Sequence, residues 1–350
     1  MDRRAGHDDG AAVRVKVDEL DLALITALQV APRASWARLA GPLGVDAATL
    51  SRRWSALRES GTAWLTCYPG SGFAAVGVLA FVQVDCEPSE LAAVAAALAG
   101  LPAVVSVELV AGAHPLLLTV GSASAALFTE QLLAFGRVPG VRGLRTHPVR
   151  RLHREGSRWR FDALSPGQQR ELAVDTAPGA EEPAPLSAEE RALILALGVD
   201  GRRTVAALAA ELGRPEATVR RLLGKMLDGG RAVLRCEAAL PVTGWRATAT
   251  LWLNMPAAER IPVLEAIEGM RDTRLCAATV TDADAIAVTC FRGLDGLADY
   301  EARLGAVAPG LRVLDRAVTL RWVKRMGRLL GEDGRATGYV PMDLWAAAPT

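Results

Sequence analysis

The first apolar residues of the chain recur every three or four positions, which is the spacing of a helix that buries one face. These residues are Leu20, Leu24, Ile25 and Leu28. Asp18 can cap this helix, and Pro32 predicts its end because proline lacks a backbone donor. A second, short helix is expected over residues 35–40, before the break at Gly41 and Pro42. The pattern therefore begins with two consecutive helices.

A glycine turn leads from the second helix into a third. Gly44 makes the turn, and Asp46 is the expected cap of the new helix. The residues that face inward by spacing are Leu50, Trp54 and Leu57. Residues 62–68 then have the pattern of a β-wing. Three helices with this turn and a wing predict a winged helix-turn-helix, whose third helix enters the major groove of DNA.

The periodicity changes after about residue 73, from helical spacing to a mixture of strands and helices. Strands are expected at residues 76–85, 104–109, 116–120 and 141–150, and helices at residues 90–98 and 128–135. The order β-α-β-β-α-β is that of a ferredoxin-like domain. Its antiparallel sheet has one face covered by helices and one face free to pair with a partner.

The same arrangement occurs twice in the chain. Residues 44–54 return without a gap as residues 213–223. The two segments are 169 residues apart. This distance is longer than the roughly 20–50 residues of a solenoid repeat, so a whole two-domain protein is duplicated. The predicted fold class is α+β, a winged helix-turn-helix plus a ferredoxin-like βαββαβ domain in tandem. The expected parts are a disordered arm (1–16), winged helix-turn-helix domains (17–70 and 186–240), ferredoxin-like domains (73–153 and 245–326), a Pro-rich acidic linker (154–185) and a tail (327–350).

Composition restricts the class of protein. The net charge is only +1, so a nucleic-acid surface must be a local patch. The five cysteines include no C-x-x-C pair, which excludes a sequence-evident zinc finger and is typical of a reducing compartment. No apolar run approaches the roughly 20 residues of a membrane span. We therefore expect a cytoplasmic protein with no membrane partner, metal or cofactor.

Together, these features resemble the Lrp/AsnC, or feast/famine, family of bacterial and archaeal regulators. The resemblance is carried by Leu20-Asp21, Leu24-Ile25, Leu28, Arg33, Leu39-Ala40, Leu43-Gly44, Arg52-Arg53, Leu57 and Gly61, and by the domain that follows. It covers about residues 17–150 and about residues 186–326. The resemblance implies a transcription regulator that binds double-stranded DNA, forms homo-oligomers through its ferredoxin-like sheets and often senses an amino acid.

The predicted DNA contacts lie on equivalent segments of the two copies. They are Arg33, Ser35, Thr49, Ser51, Arg52 and Arg53 in the first copy, and Arg202, Thr204, Arg214, Thr218, Arg220, Arg221 and Lys225 in the second. Arginine suits this role because its planar fork donates two parallel hydrogen bonds to a guanine edge or a phosphate. If the two copies pair their sheets, the chain is its own pseudo-dimer. Its reading helices differ, so we expect two unequal half-sites about one helical turn, or a multiple, apart.

The family usually binds its effector near the hairpin between the second and third strands, where a Gly-Asp-aromatic pattern is common. Residues 112–115 read Gly-Ala-His-Pro and residues 282–284 read Asp-Ala-Asp, so neither copy keeps this pattern. The candidate effector residues are Gly112, His114, Asp282 and Asp284. A histidine can sense pH near neutrality, and an aspartate can hold an ammonium group. An exposed hairpin histidine and ordinary turn aspartates are the alternatives.

Two other functions compete with regulation. A ligand-binding or assembly protein, whose helix-turn-helix units are only structural, agrees with the near-neutral charge. Sirohaem decarboxylases share the paired architecture and use His and Tyr or Arg side chains around a tetrapyrrole. This chain has only four histidines, all in its first half, and none of the common nucleophile, phosphate-loop or zinc motifs. We therefore expect no catalytic residues and no enzyme.

Overall fold

The computed structural model of the protein describes residues 17–173 and 184–348. The predicted arm at residues 1–16 and the centre of the predicted linker lie outside the described residues.

The first helix-turn-helix forms from the predicted helices. Its elements are α1 (Glu19–Val30), α2 (Trp36–Leu43), α3 (Ala47–Glu59) and strand β1 (Ala63–Pro69). Asp18, Ser35 and Asp46 cap the three helices by accepting a backbone N–H with the side chain. The expected break at Pro42 is wrong, because α2 continues for one residue beyond it and ends at the left-handed Gly44. A proline so close to the end removes little of the helix's hydrogen bonding.

The first ferredoxin-like domain follows in the predicted order. Its elements are α4 (Phe73–Val76), β2 (Val78–Cys86), α5 (Leu91–Ala99), β3 (Val104–Ala111), β4 (Leu116–Ser122), α6 (Ala125–Gly136) and β5 (Val141–Arg154). Leu98 of α5 and Phe135 of α6 pack with strand residues such as Val82 and Leu118 into one apolar core. Helices therefore cover one face of this sheet.

The second copy repeats this order after a short helix, α7 (Pro166–Leu172). Its helix-turn-helix consists of α8 (Ala188–Val199), α9 (Val205–Leu212), α10 (Glu216–Asp228) and β6 (Ala232–Ala238). Its ferredoxin-like domain consists of β7 (Ala247–Asn254), α11 (Arg260–Gly269), β8 (Thr273–Thr279), β9 (Ala285–Phe291), α12 (Asp295–Val307) and β10 (Arg312–Arg325). Two short strands, β11 (Arg328–Leu330) and β12 (Ala336–Tyr339), end the chain's regular structure.

The predicted wing is wrong in one respect: the strand after each helix-turn-helix pairs with the other copy. Strands β1 and β6 run antiparallel, from Ala63 opposite Ala238 to Pro69 opposite Ala232. A lone strand leaves its backbone groups unpaired, and the equivalent strand of the duplicate offers a matching set of donors and acceptors. The two strands form a ribbon, called the bridging ribbon below, that joins both helix-turn-helix units.

The two ferredoxin-like sheets also join, and together their eight strands close into one barrel, called the barrel below. The order is β10, β3, β4, β2, β5, β8, β9, β7, and β7 pairs again with β10. Strands β5 and β10 are long enough to pair with their own sheet at one end and with the other copy at the other end. Phe81, Leu117, Trp252 and Ile286 pack between the sheets. The face expected to pair with a partner is thus covered within the chain.

The described part of the predicted linker is more ordered than its composition suggests, and the tail, for which the sequence predicted no structure, also packs into the fold. Trp159, Phe161 and Leu164 are buried against the first helix-turn-helix, and Trp159 stacks edge-on against Trp245 at 4.8 Å. The tail adds β11 and β12 beside β10 and buries Leu344. Large apolar side chains explain both departures, because burying each one stabilises the fold by about 1.5–3 kcal/mol.

No helix in residues 17–173 and 184–348 has both the length and the apolar character that crossing a bilayer requires.

A buried lysine on β10 makes stability depend on pH. Lys324 is fully buried and donates from Nζ to the backbone oxygen of Leu101 at 2.9 Å. Burial lowers its pKa to about 7. The unfolded chain, with an ordinary lysine pKa near 10.4, binds more protons than the folded chain between these values. The free energy of unfolding therefore rises with pH over that window, by up to about 1.4 kcal/mol per pH unit.

We expect Lys324→Met to remove this rise and to raise the free energy of unfolding at pH 7, because no charged form remains to be desolvated. Urea unfolding at pH 7, 8 and 9 measures the slope. Lys225→Met, which replaces an exposed lysine on α10, is the matched control and should keep the native slope. Equal slopes in the two variants would contradict the assignment.

Candidate nucleic-acid interface

Helix α3 presents one unengaged cation at its surface. Leu50, Trp54 and Leu57 are buried, as the spacing predicts. Arg52 is exposed and forms no ion pair or hydrogen bond with any described residue. Arg53 is engaged, because its Nη1 atom lies 2.7 Å from Asp18 and 2.9 Å from Asp21.

The pairing of Arg53 changes its expected role. The two carboxylates raise its pKa and tie α3 to the first turn of α1. Thr49 and Ser51 are partly exposed beside it. Among the residues predicted on this helix, Arg52 is therefore the cation that is free to meet a phosphate. Arg53 instead stabilises the packing of α3 against α1.

Helix α10 has a larger cationic surface. Its buried residues are Val219, Leu223 and Met226. Arg221 and Lys225 are exposed four residues apart, hence on the same face, and neither has a partner among the described residues. Arg220 is also exposed, 3.7 Å from Glu216. Since exposed pairs contribute little energy, Arg220 can exchange this carboxylate for a phosphate.

The other predicted residues near α10 are partly engaged. Arg214 pairs with Glu189 at 2.6 Å, with both side chains about half exposed. Thr218 is partly exposed within the first turns of α10. Ser35 and Thr204 are exposed and act as N-caps of α2 and α9, where each side-chain oxygen accepts a backbone N–H. Their hydroxyls keep a structural role whether or not DNA binds.

Arg33 and Arg202, which occupy equivalent positions in the repeat, hold the two copies together. Each guanidinium donates two hydrogen bonds to backbone oxygens of the other copy, over 2.6–2.9 Å. The acceptors are Gly201 and Arg203 for Arg33, and Pro32 and Ala34 for Arg202. Arg202 also stacks over Trp36 at 3.9 Å, and burial lowers its pKa to about 10. The prediction that these two arginines contact DNA is corrected accordingly.

The reciprocal arginines and the bridging ribbon together fix the position of α3 relative to α10. Arg58, at the end of α3, adds an ion pair of 2.6 Å with Asp200 of the second copy. Gln29 adds a longer hydrogen bond of 3.5 Å to the backbone oxygen of Cys236. The relative position of α3 and α10 is therefore set by contacts within one chain.

The candidate effector residues lie on two hairpins at one end of the barrel. His114 Nδ1 is 2.8 Å from Asp85, and Asp282 pairs with Arg145. Gly112 lies close to β10, since a Cβ added there would be 2.8 Å from the backbone oxygen of Arg316.

Asp284 instead stabilises its own surroundings. Its carboxylate accepts hydrogen bonds from Asn254 and from the backbone of Met255, and pairs with Arg260. It is thus an ordered hairpin residue, as the turn alternative expected.

A buried histidine near these hairpins was missed by the sequence analysis. His147 on β5 is 2.9 Å from both Thr281 and Gln83, and Gln83 donates to Asp315 at 3.1 Å. Burial lowers the pKa of His147, and the nearby Arg145 lowers it further. The set links side chains of both copies inside the barrel, which a pattern within one copy cannot reveal.

A buried charge cluster was missed for the same reason. Glu237 on the bridging ribbon pairs with Arg235 of the ribbon, Arg274 of β8 and Arg325 of β10. Burial opposes ionisation of Glu237, but the three guanidinium charges outweigh it and hold its pKa at about 2. This carboxylate connects the ribbon to the barrel.

We expect Arg53→Ala to lower the free energy of unfolding by about 1–3 kcal/mol, because it leaves the nearly buried Asp21 without its ionic partner. Arg52→Ala, its neighbour on α3, should change stability by less than about 0.5 kcal/mol. Urea unfolding of both variants at pH 7 makes the comparison. A loss of stability in Arg52→Ala equal to that in Arg53→Ala would refute the division of roles.

The tandem fold is similar to that of an enzyme of known structure. The crystal structure of the siroheme decarboxylase NirDL matches with a TM-score of 0.57 and 14% identity, covering 90% of this chain and 96% of that chain. Its co-complex with an iron-uroporphyrin III analogue matches with the same TM-score and identity, over 88% and 93% of the two chains. At this identity the likeness shows the fold alone. It nevertheless overturns the expectation that the chain is not an enzyme, since an enzyme has the same architecture.

Sequence comparisons identify the domains of the first copy. Residues 17–58 match the AsnC-type helix-turn-helix domain, and residues 79–158 match the Lrp/AsnC ligand binding domain. The HTH-type transcriptional regulator FL11 of Pyrococcus horikoshii is 28% identical over 144 residues, which are 41% of this chain and 95% of that protein. Residues 17–158 thus match the two Lrp/AsnC-type domains in this order, and the fold repeats the pair in the second copy.

Proposed function

We propose that the chain is a sequence-specific DNA-binding transcription regulator of Lrp/AsnC type, in which α10 makes the stronger contact with DNA. The observation that carries this proposal is the exposed face of α10 with Arg220, Arg221 and Lys225. The matched AsnC-type domain and the regulator FL11 support it, because both share the helix-turn-helix.

The cationic face of α10 is also what the low net charge requires. A chain with a net charge of +1 has no general attraction for DNA, so phosphate contacts must come from a local patch. Each neutralised phosphate makes binding more sensitive to salt, with a slope of about 0.9 in log K per log salt unit. Helix α3, with Arg52 alone unengaged, adds a weaker contact.

The pseudo-dimer defines the form of the target. Because the bridging ribbon and the reciprocal arginines fix α3 relative to α10, both helices meet one duplex together. The two surfaces differ in charge, so the half-sites differ as well. A small-molecule effector would complete the regulator, and the unusual hairpins containing His114 and Asp282 argue for a ligand other than the family's common amino acids. Further self-association would use the outside of the barrel, because the inner sheet faces are already paired.

The tandem fold shared with NirDL favours a second candidate, chemistry on a tetrapyrrole. A surface groove of about 750 Å³ beside α12 is large enough for such a ligand. Its arginines could meet carboxylates, but Arg271 and Arg303 are paired with Asp162 and Asp272, and Arg292 stacks on Trp245. The groove lining contains no histidine, cysteine, methionine or tyrosine. The residues therefore do not fit an iron tetrapyrrole that needs a protein ligand to the metal.

Adding iron-uroporphyrin III to the purified chain tests the second candidate directly. A shifted and saturable absorbance band would support it. An unchanged spectrum at equimolar protein would remove it.

We expect the double variant Arg221→Ala/Lys225→Ala to weaken binding to DNA from upstream of the chain's own gene. It should also reduce the slope of log K against log salt by about 2, since two phosphate contacts disappear. Fluorescence anisotropy between 50 mM and 200 mM salt measures both quantities.

The matched control is Arg150→Ala/Arg151→Ala, which removes two exposed charges from β5 of the barrel and should keep the native slope. Equal slopes for the α10 variant and the wild type would contradict the role of α10. Equal losses of DNA affinity in the α10 variant and the control would mean that binding depends on overall charge and not on α10.

A further inference from the structure

A small cavity lies where the bridging ribbon, the barrel and the C-terminal segment meet. Its volume is about 100 Å³. Most of its wall is apolar and comes from distant parts of the chain: Phe73, Leu79, Val105, Leu275, Met342 and Leu344. The C-terminal segment closes it, since Leu344 is buried and its backbone oxygen accepts a hydrogen bond of 2.8 Å from Ala123. Such a mainly apolar cavity with a few polar groups is the usual form of a small-molecule site.

Two hydrogen-bond donors in this cavity lack a good acceptor. The hydroxyl of Tyr68 is buried beside Ser157 and Arg235, yet its oxygen forms no hydrogen bond of good geometry with a described residue. Arg235 uses Nε for Glu237, whereas its Nη1 donates to the sulfur of Met326 at 3.8 Å. A thioether is a weak acceptor, and a buried donor without a partner costs about 1–3 kcal/mol. An acceptor on a bound molecule would remove both deficits.

The charges around the cavity favour an anion. Arg235 lines the cavity, and its partner Glu237 is shared with Arg274 and Arg325, which lie outside the lining, so one carboxylate serves three guanidinium groups. Glu155 is the carboxyl that lines the cavity with Arg235, and burial raises its pKa, which disfavours its charged form. An ammonium group would have to compete for Glu155, which already accepts a hydrogen bond from Ser157 at 3.0 Å, and would lie close to the guanidinium of Arg235.

We propose that this cavity binds a small apolar monocarboxylate, with its carboxylate on Tyr68 and Arg235 and its hydrocarbon chain against Phe73, Leu79 and Leu344. The size restricts the ligand, because an apolar cavity of about 150 Å³ accommodates benzene. A cavity of about 100 Å³ takes a short branched aliphatic chain and excludes a tetrapyrrole. The site does not depend on DNA binding, since none of the predicted DNA contacts lines the cavity.

Isothermal titration of the full chain with 3-methylbutanoate tests the proposal. We expect saturable binding with one molecule per chain. The uncharged 3-methyl-1-butanol should bind at least tenfold more weakly because it lacks the carboxylate, and valine should do so because its ammonium would lie close to Arg235. No saturable binding of 3-methylbutanoate, or equal affinity for the alcohol or valine, would overturn the proposal.

Tyr68→Phe separates a ligand contact from a structural role. Since the hydroxyl is buried without a strong partner within the chain, the variant should keep or raise the native thermal midpoint and bind 3-methylbutanoate at least tenfold more weakly. Tyr300→Phe is the matched control: its hydroxyl is 2.8 Å from Thr273, away from the cavity, so stability should fall while affinity is kept. Ala74→Phe, at the cavity wall, should abolish binding by filling the space. Native affinity in Tyr68→Phe or Ala74→Phe would place the ligand elsewhere.

Discussion

Backbone pairing between the two copies is the constraint on which the rest of this molecule depends. Strand β5 pairs with β8, β10 pairs with β3, and β1 pairs with β6, so three seams between the copies are hydrogen-bonded ladders. Either copy alone would expose open sheet edges, which invite pairing with other chains. The reciprocal arginines, the buried histidine set and the charge cluster all lie along these seams. The duplication therefore makes one cooperative body from two domain pairs.

Covalent linkage allows the two halves to differ where a symmetric dimer cannot. Tyr68 and Thr66 on one strand of the bridging ribbon occupy the positions that Glu237 and Arg235 occupy on the other. The ribbon thus has a hydroxyl beside a cavity at one end and a charge cluster towards the other. The reading helices diverge too, because Arg53 of α3 is engaged by two aspartates whereas Arg221 of α10 is unengaged within the described chain. On the proposed function, these differences suit a target with two unequal half-sites.

Local patterns predicted what local forces determine. The helices, the Asp18 and Asp46 caps and the order of the ferredoxin-like strands follow from spacing and capping chemistry, and the structure confirms them. Contacts between the copies were missed. No pattern near Arg33 distinguishes an arginine that binds a phosphate from one that donates to the backbone oxygens of Gly201 and Arg203. A strand such as β6, with alternating Arg235 and Glu237, looks like a solvated surface until a second layer covers it. Trp159 in a proline-rich segment was missed because composition alone was used to define the linker.

On the proposed function, one chain presents two fixed and unequal helices, α3 and α10, to a single duplex. Hydroxyl-radical footprinting of the full chain on its bound DNA tests this most directly. We expect two protected segments on one face of the duplex, about 10 base pairs or a multiple apart, with clearly unequal protection. Two equally protected segments, or a single one, would contradict it.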